Sequence, residues 1–273
     1  MATRKAATTK TDNNALTTEF DWLEDAGGGM EGTDRESFAI PFLKILQKSS
    51  PQVEEGDAAY IEGAKPGMLF NTVTQKLYKP KEETIHFIPA AYQRRFIRWA
   101  PRGDDAGFRG ELTPEEVTGM RERGEAAENE GKLLVPTANG ELDEKRCDRL
   151  TDTRSHFGLV MTEDGNVEQV VFPLSSTQIK KSKQLMSALS HAKVRGKNGM
   201  VTPPTWMNKI RLSTTLESND QGSWYGVRFE PDGFIESKDV YDTGKALHEA
   251  ILGGEAHADY AAGDEKPEDS SKF

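Results

Sequence analysis

Arginines alternate with aromatic residues at positions 93–102, in the sequence QRRFIRWAPR. The segment contains no acid, and its four arginines are Arg94, Arg95, Arg98 and Arg102. Guanidinium groups bind phosphates and aromatic rings stack on bases, at about 1–3 kcal/mol per base, as single-stranded nucleic acids require. In a strand, Phe96 and Trp99 would lie on opposite faces. We therefore expect one ring to be in the core, and we assign that position to Trp99.

A second basic stretch, positions 177–211, contains no Asp or Glu. The chain has a formal net charge of −10, and its 45 acids in 273 residues would place about six in a stretch of this length. The stretch instead carries Lys180, Lys181, Lys183, Lys193, Arg195, Lys197, Lys209 and Arg211. It therefore creates a local positive potential that predicts an anionic partner. Ordinary surface lysines on a solvated helix and loop are the alternative.

Patterns that would indicate an enzyme or a cofactor site are weak. Gly27, Gly29 and Gly32 match G-x-G-x-x-G, but acids surround them and no strand precedes them, so we interpret this segment as a flexible linker. The five histidines lack metal-ligand spacing: His86, His156, His191, His248 and His257. A single cysteine, Cys147, excludes an internal disulfide and any multi-cysteine metal site. We expect no enzymatic activity, no metal and no cofactor.

One fragment resembles part of a nuclease site. Pro231, Asp232, Glu236 and Lys238 are similar to the P-D and E-x-K halves of the metal-dependent nucleases with that motif, in which two carboxylates converge on one cation. Here the two halves are nearly adjacent, and Pro-Asp-Gly is typical of a turn. The sequence therefore favours a turn, and a nuclease remains the less favoured alternative.

The apolar pattern predicts a mainly β core with helices, in the α+β class. We expect neighbouring strands at 68–74 and 84–92, with Pro89 at an edge or bulge. A hairpin is predicted at 155–173 around a D-G turn, and a second at 206–230.

Two helices and a loop complete the prediction. A helix after Ser175 or Ser176 places Ile179, Met186, Leu189 and Ala192 on one face and Lys180 and Lys183 on another. A loop follows at 193–204, and a last helix ends at Gly253 and Gly254. This order fits a small OB-type barrel with a helix between its third and fourth main strands, and a β-sandwich fits nearly as well.

Composition divides the chain into three parts. Residues 1–36 are predicted to be a flexible N-terminal segment, 37–252 a single OB-like core domain, and 253–273 a disordered acidic tail. Within the core, 103–150 is expected to be a charged insertion. Thr113 and Glu116 form a capping box there, and the apolar content beyond them predicts no core element. No apolar run reaches membrane-spanning length, so we expect a cytoplasmic protein without a membrane partner.

The tail ends in Phe273 after a run of acids: Asp264, Glu265, Glu268 and Asp269. This acidic tail and the predicted OB-type order of strands and helices together give the chain a resemblance to the phage and bacterial single-stranded DNA-binding proteins. The resemblance is in particular to the T7-type phage replication proteins. The resemblance implies an OB-fold whose tail recruits replication partners, such as a phage DNA polymerase, and competes with DNA. Lys272 and the neutral Ser270 and Ser271 depart from the more acidic tails of that family.

We therefore predict a non-enzymatic single-stranded DNA-binding protein that supports phage replication or recombination in the host cytoplasm. The predicted phosphate contacts are Arg94, Arg95, Arg98, Lys180, Lys181, Lys183, Lys193, Arg195 and Lys197. The predicted stacking residues come from Tyr92, Phe96, Trp206, Trp224 and Tyr225. A virion or assembly protein is the main alternative, and the oligomeric state, a homodimer included, stays open.

Overall fold

The strands and helices were taken from a computed structural model that describes residues 28–29, 39–101, 107–220 and 222–261. The strands are β1 (Leu43–Ile45), β2 (Leu69–Asn71), β3 (Leu77–Tyr78), β4 (Ile85–Trp99), β5 (Phe108–Leu112), β6 (Ala127–Asn129), β7 (Lys132–Val135), β8 (Asp148–Thr162), β9 (Val167–Ser175), β10 (Val194–Gly196), β11 (Gly199–Val201), β12 (Asn208–Asn219) and β13 (Gly222–Phe234). The helices are α1 (Pro114–Glu122), α2 (Ile179–His191) and α3 (Lys238–Gly253). The protein is therefore mainly β with helices, as the sequence predicted.

Two long strands, β4 and β8, form the centre of the main sheet. They pair antiparallel along their whole length, from Ile85 opposite Thr162 to Trp99 opposite Arg149. At one end β12 and then β13 extend the sheet beyond β4, while β9 pairs with β8. At the other end β5 pairs with β4, and the β6–β7 hairpin pairs with β8. A bulge between Pro89 and Ala91 interrupts the central ladder, which confirms the position predicted for Pro89.

Successive residues of β8 point to opposite faces of this sheet, and a different helix covers each face. Phe157 lies on the face covered by α3, where it is fully buried with Leu247 and Ile251. The cluster includes Trp99, which is buried as predicted. It also includes Ala258 and Tyr260, so the expectation that disorder begins at residue 253 is wrong for this part of the chain.

The opposite face carries α2 and a small sheet of β1, β2 and β3. The small sheet covers a cluster that contains Leu43, Phe87, Phe172, Leu212 and Val227. One parallel bridge joins Phe42 to Val171 of β9. Within the described residues these sheets do not close into a barrel.

The outer edge of β13 is covered by side chains. The amide of Gln47 donates to the Tyr225 carbonyl oxygen (2.9 Å) and accepts from the Tyr225 N–H (2.8 Å). The Gln178 side chain accepts from the Val227 N–H at 3.1 Å. Two side-chain amides therefore take positions that a neighbouring strand would occupy.

The charged segment at 103–150 contributes to the core, contrary to expectation. The predicted capping box is present, because Thr113 Oγ1 accepts from the Glu116 N–H and the Glu116 carboxylate accepts from the Thr113 N–H. Beyond it, Val117, Ala126 and Leu133 are buried against Leu150 of β8. The apolar residues are few, but pairing of β5 and β7 with the long strands brings them together.

Both predicted hairpins and the predicted end of α3 are confirmed. Met161 pairs with Val167 in the first hairpin, and Asn219 pairs with Gly222 in the second. Gly254 closes α3 in the left-handed conformation that glycine favours. The predicted pairing of the strands at 68–74 and 84–92 is wrong, because β2 pairs with β1 and β3, whereas β4 pairs with β5, β8 and β12.

Candidate nucleic-acid interface

Helix α2 has one buried face and one polar face. Leu185 and Leu189 are buried against Ile210 of β12, and Phe229 of β13 packs against the same cluster. The exposed positions recur at helical spacing and include no acid: Lys180, Lys183, Gln184, Ser187, Ser190 and His191. The apolar stripe thus holds α2 on the sheet and directs the two exposed lysines to solvent.

A buried hydrogen bond also anchors α2 to β8. His156 Nε2 lies 2.7 Å from Ser182 Oγ, and both residues are about 1% exposed. Burial, with a smaller contribution from the nearby charge of Arg154, lowers the pKa of His156 from 6.5 to about 4. The imidazole is therefore neutral at pH 7, and its protonation would place a charge beneath the helix.

We predict that acidification destabilises the fold through His156. Since the unfolded chain binds this proton near pH 6.5 and the folded chain only near pH 4, the group has no effect above about pH 7. As the pH falls from about 7.5 to about 5, it should lower the free energy of unfolding by about 2 kcal/mol. Urea unfolding at the two pH values measures this loss.

The control for this prediction is the exposed His191. H156Q should remove most of the pH-dependent loss, whereas H191Q should retain it. An unchanged pH dependence in H156Q would contradict the assignment.

The lysines of α2 differ in their partners. Lys181 Nζ lies 2.6 Å from Glu217 Oε1 of β12, so its charge is largely compensated. Lys180 and Lys183 are exposed, and no acid in the described part of the chain forms an ion pair with them. They retain a net positive charge toward solvent.

The polar face of α2 continues into the β10–β11 hairpin, where the sequence predicted a loop. Arg195 and Lys197 are exposed, and no described acid forms an ion pair with either. Lys193 is also exposed, and its ammonium donates to Thr202 Oγ1 across the base of the hairpin. The name α2–hairpin surface is used below for five cations: Lys180, Lys183, Lys193, Arg195 and Lys197.

The sequence signal for the hairpin is the Asn-Gly pair at 198–199 between two valine-containing runs.

The hairpin is attached to the core at its base. Pro203 is buried, and the Asn208 side-chain amide donates to the carbonyl oxygens of Pro204 and Thr205 at 3.2 and 3.1 Å. On the other side, the Ala192 N–H donates to the last turn of α2. Both ends of the hairpin segment are therefore anchored, one at the end of α2 and the other at the start of β12.

In the arginine island at positions 93–102, Arg94 and Arg98 are paired with acids that the sequence did not reveal. Arg94 binds Asp152 through Nε (3.0 Å) and Nη2 (2.7 Å), and Arg154 binds the same carboxylate. Burial opposes ionisation, yet the hydrogen bonds from Arg94 and Arg154 hold the pKa of Asp152 below its usual value. The group of two arginines and one aspartate keeps one net positive charge.

Arg98 and Arg95 are similarly engaged. Arg98 Nε lies 2.6 Å from Asp148 Oδ2, and Arg109 Nη1 lies 3.0 Å from Asp148 Oδ1. Arg95 donates to the Arg94 carbonyl oxygen at 3.0 Å. Arg94, Arg95 and Arg98 stay predicted phosphate contacts, although Arg94 and Arg98 already share their charges with carboxylates.

The predicted stacking rings are all partly buried. Tyr92 accepts a hydrogen bond from Arg154 at 2.9 Å, and Phe96 packs near α1 with Arg94 over its ring. Trp206 contacts His248 in a tilted arrangement, with ring centroids 4.6 Å apart. Trp224 and Tyr225 are half-buried on β13. Their roles in base stacking stay predictions.

Asp232 does not lie in the predicted turn. Ile210 pairs with Pro231 and Asn208 with Phe234, so Asp232 and Gly233 form a bulge within β13. The Asp232 carboxylate lies 2.7 Å from His86 Nε2 and 3.5 Å from Arg211 Nη2. Across the described ranges, no group of three or more acids, histidines or cysteines is arranged to hold a metal ion.

Fold and surface together define an α+β protein in which α2 and the β10–β11 hairpin expose five cations from a stretch of sequence that contains no acid. The chain belongs to the Pam3 phage gp34-like protein family, whose model matches residues 10–257. This membership supports the phage origin that the sequence predicted. Neither a curated protein nor a solved structure shows significant similarity to the chain. None of the described helices combines the length and the apolar character needed to cross a bilayer.

Proposed function

We propose that this protein binds single-stranded DNA without cleaving it and supports phage DNA replication or recombination. The observation that carries the proposal is the α2–hairpin surface, whose five cations are exposed in a stretch with no acid. Cations of this kind bind phosphates and release counterions, which supplies affinity without sequence preference. In a chain with a net charge of −10, such a surface directs an anionic polymer to one side of the molecule.

The order of elements supports an OB-like interpretation of the core. Helix α2 follows β9 and precedes β12, and the strands on both sides of it contribute to the cluster beneath the small sheet. OB-folds bind oligonucleotides along one face of their strands. In the proposal, the β1–β3 sheet completes the enclosure that barrel closure would otherwise provide.

The arginine island is a secondary contact in this proposal. Arg94 and Arg154 already share Asp152, and Arg98 shares Asp148 with Arg109. A phosphate that binds Arg94 or Arg98 must compete with the carboxylate already bound there. We therefore assign most of the electrostatic affinity to the α2–hairpin surface.

The C-terminal tail is proposed to bind partner proteins of the replication machinery. Its acids and final aromatic residue are Asp264, Glu265, Glu268, Asp269 and Phe273, which lie outside the described residues. An aromatic ring beside a carboxylate suits a pocket with a basic rim. The same acids would compete with DNA for the cations.

Titration of fluorescent oligo-dT with the protein over a salt series tests the proposal. If five cations contact phosphates, the plot of log K against log salt should have a slope of about −3.5. Mg²⁺ should not be required, and the oligonucleotide should stay intact. Absence of binding at low salt would refute the proposal.

Cleavage that depends on Mg²⁺ would favour a nuclease instead. D232N distinguishes that case, because a nuclease centred on Asp232 would lose cleavage. In the proposed function this substitution only weakens the contacts with His86 and Arg211.

A further inference from the structure

The β10–β11 hairpin exposes apolar side chains beside its cations. Met200 is 64% exposed and Val201 is 47% exposed. Arg195 pairs with Met200, and Val194 pairs with Val201. Because directly opposed residues of an antiparallel pair share a face, the side chains of Arg195 and Met200 project from the same face of the hairpin.

The tip of the hairpin leaves Met200 accessible from several directions. Gly196 pairs with Gly199, so no side chain stands between Met200 and the turn on either strand. A Cβ placed on Gly199 would meet no heavy atom within 4 Å. Gly199 also has a φ of +124°, a conformation that disfavours other residues. The tip of the hairpin therefore carries no side chain on either strand next to the exposed Met200.

Met200 has no role in the core that would explain its type. It belongs to none of the buried clusters of the described chain. Burial of such a side chain on binding would stabilise a complex, and this contribution is unused in the free protein. A thioether is also polarisable and adaptable, so it can pack against any base.

We propose that the β10–β11 hairpin is the base-contacting element, in which Met200 packs against the bases of single-stranded DNA. Arg195 on the same face and Lys197 at the turn bind the phosphates on either side. Apolar side chains that enter base steps beside cations are an established mode of nucleic-acid binding. The absence of acids from 177 to 211 makes this hairpin complementary to a polyanion. This inference rests on the proposed function and assigns its base contact to a residue outside the predicted aromatic set.

Three variants test the hairpin, with oligo-dT as the probe. M200A should weaken binding about 5- to 10-fold at every salt concentration and leave the salt slope unchanged, because it removes an apolar contact. R195Q should make the slope shallower by about 0.7, because it removes one phosphate contact. L252A is the matched control, since Leu252 of α3 is 72% exposed and lies on the other face of the sheet.

Methionine oxidation gives an independent measurement. In full-length protein treated with peroxide, oligo-dT should slow sulfoxide formation at Met200 but not at Met120 of α1, read by mass spectrometry of the peptides.

The outcomes separate the inference from the proposed function. If wild-type protein binds oligo-dT while M200A binds equally well and Met200 is not protected, the inference is overturned and the proposed function stands. If wild-type protein does not bind at all, the proposed function fails and this inference fails with it. Protection of Met200 together with loss of affinity in M200A but not in L252A would support both.

Discussion

Replacing four cations of the α2–hairpin surface in K180Q/K183Q/R195Q/K197Q is expected to weaken single-stranded DNA binding several hundred-fold at about 0.1 M salt. Each phosphate contact releases about 0.7 counterion on a single strand, which contributes about 1 kcal/mol at that salt concentration. Four contacts therefore supply about 4 kcal/mol. The four side chains are exposed, so the fold should be unaffected.

A charge-matched variant separates this site from the net charge of the protein. K65Q/K145Q/K238Q/K245Q removes the same number of cations from exposed positions on other elements. It should retain binding within a fewfold of wild type. The measurement is the oligo-dT dissociation constant over a salt series, in which the first variant should lose about 3 units of slope and the second almost none. Equal losses in the two variants would show that the α2–hairpin surface is not the site.

G158A is expected to have the largest effect on stability, with a loss of about 3 kcal/mol. Gly158 lies in β8 opposite Pro89, where a Cβ would be 2.4 Å from the Ile88 carbonyl oxygen and 2.6 Å from two ring carbons of Phe87. Ile88 and Phe87 are fully buried. Neither can move without disturbing the central pair of strands, so the added methyl group must distort the ladder next to the bulge.

G119A provides the matched control for that substitution. Gly119 lies inside α1, and the nearest atom to an added Cβ is the flexible end of the Arg123 side chain at 3.0 Å. Alanine in a helix interior should stabilise the protein by about 0.5–1 kcal/mol. Urea unfolding measures both variants. A G158A protein as stable as wild type would contradict the close contact described for β8.

Elements with local signals were predicted from the sequence. The D-G turn and its alternating flanks specified the hairpin of β8 and β9, and the Thr113–Glu116 pair specified the start of α1. The apolar spacing of α2 also placed its exposed lysines correctly, because a helix fixes which side chains share a face.

Features that depend on distant residues were not predictable in this way. Arg94 and Arg98 appeared free in the sequence because Asp152 and Asp148 lie some fifty residues further along the chain. Only the antiparallel register of β4 and β8 brings each pair together. Likewise, Pro231–Asp232–Gly233 has local turn chemistry, but pairing with β12 made it a bulge.

The hairpin at Asn198 and Gly199 was missed for a different reason. Its flanking strands are only three residues long, and the cluster of glycines and prolines around them is typical of a loop. The exposure of Met200 could not be predicted from the sequence. That exposure depends on where α2 and the buried Pro203 place the two ends of the segment.

The amide side chains of Gln47 and Gln178 along β13 bear on the proposed coating of DNA. Under that proposal, chains bound side by side on one DNA strand would meet at very high local concentration, which favours the addition of one molecule's strand to the sheet of the next. On β13 the backbone groups of Tyr225 and the N–H of Val227 are already satisfied, and Pro231 has no N–H to offer. These backbone groups are therefore not open to pairing with a strand of a neighbouring molecule.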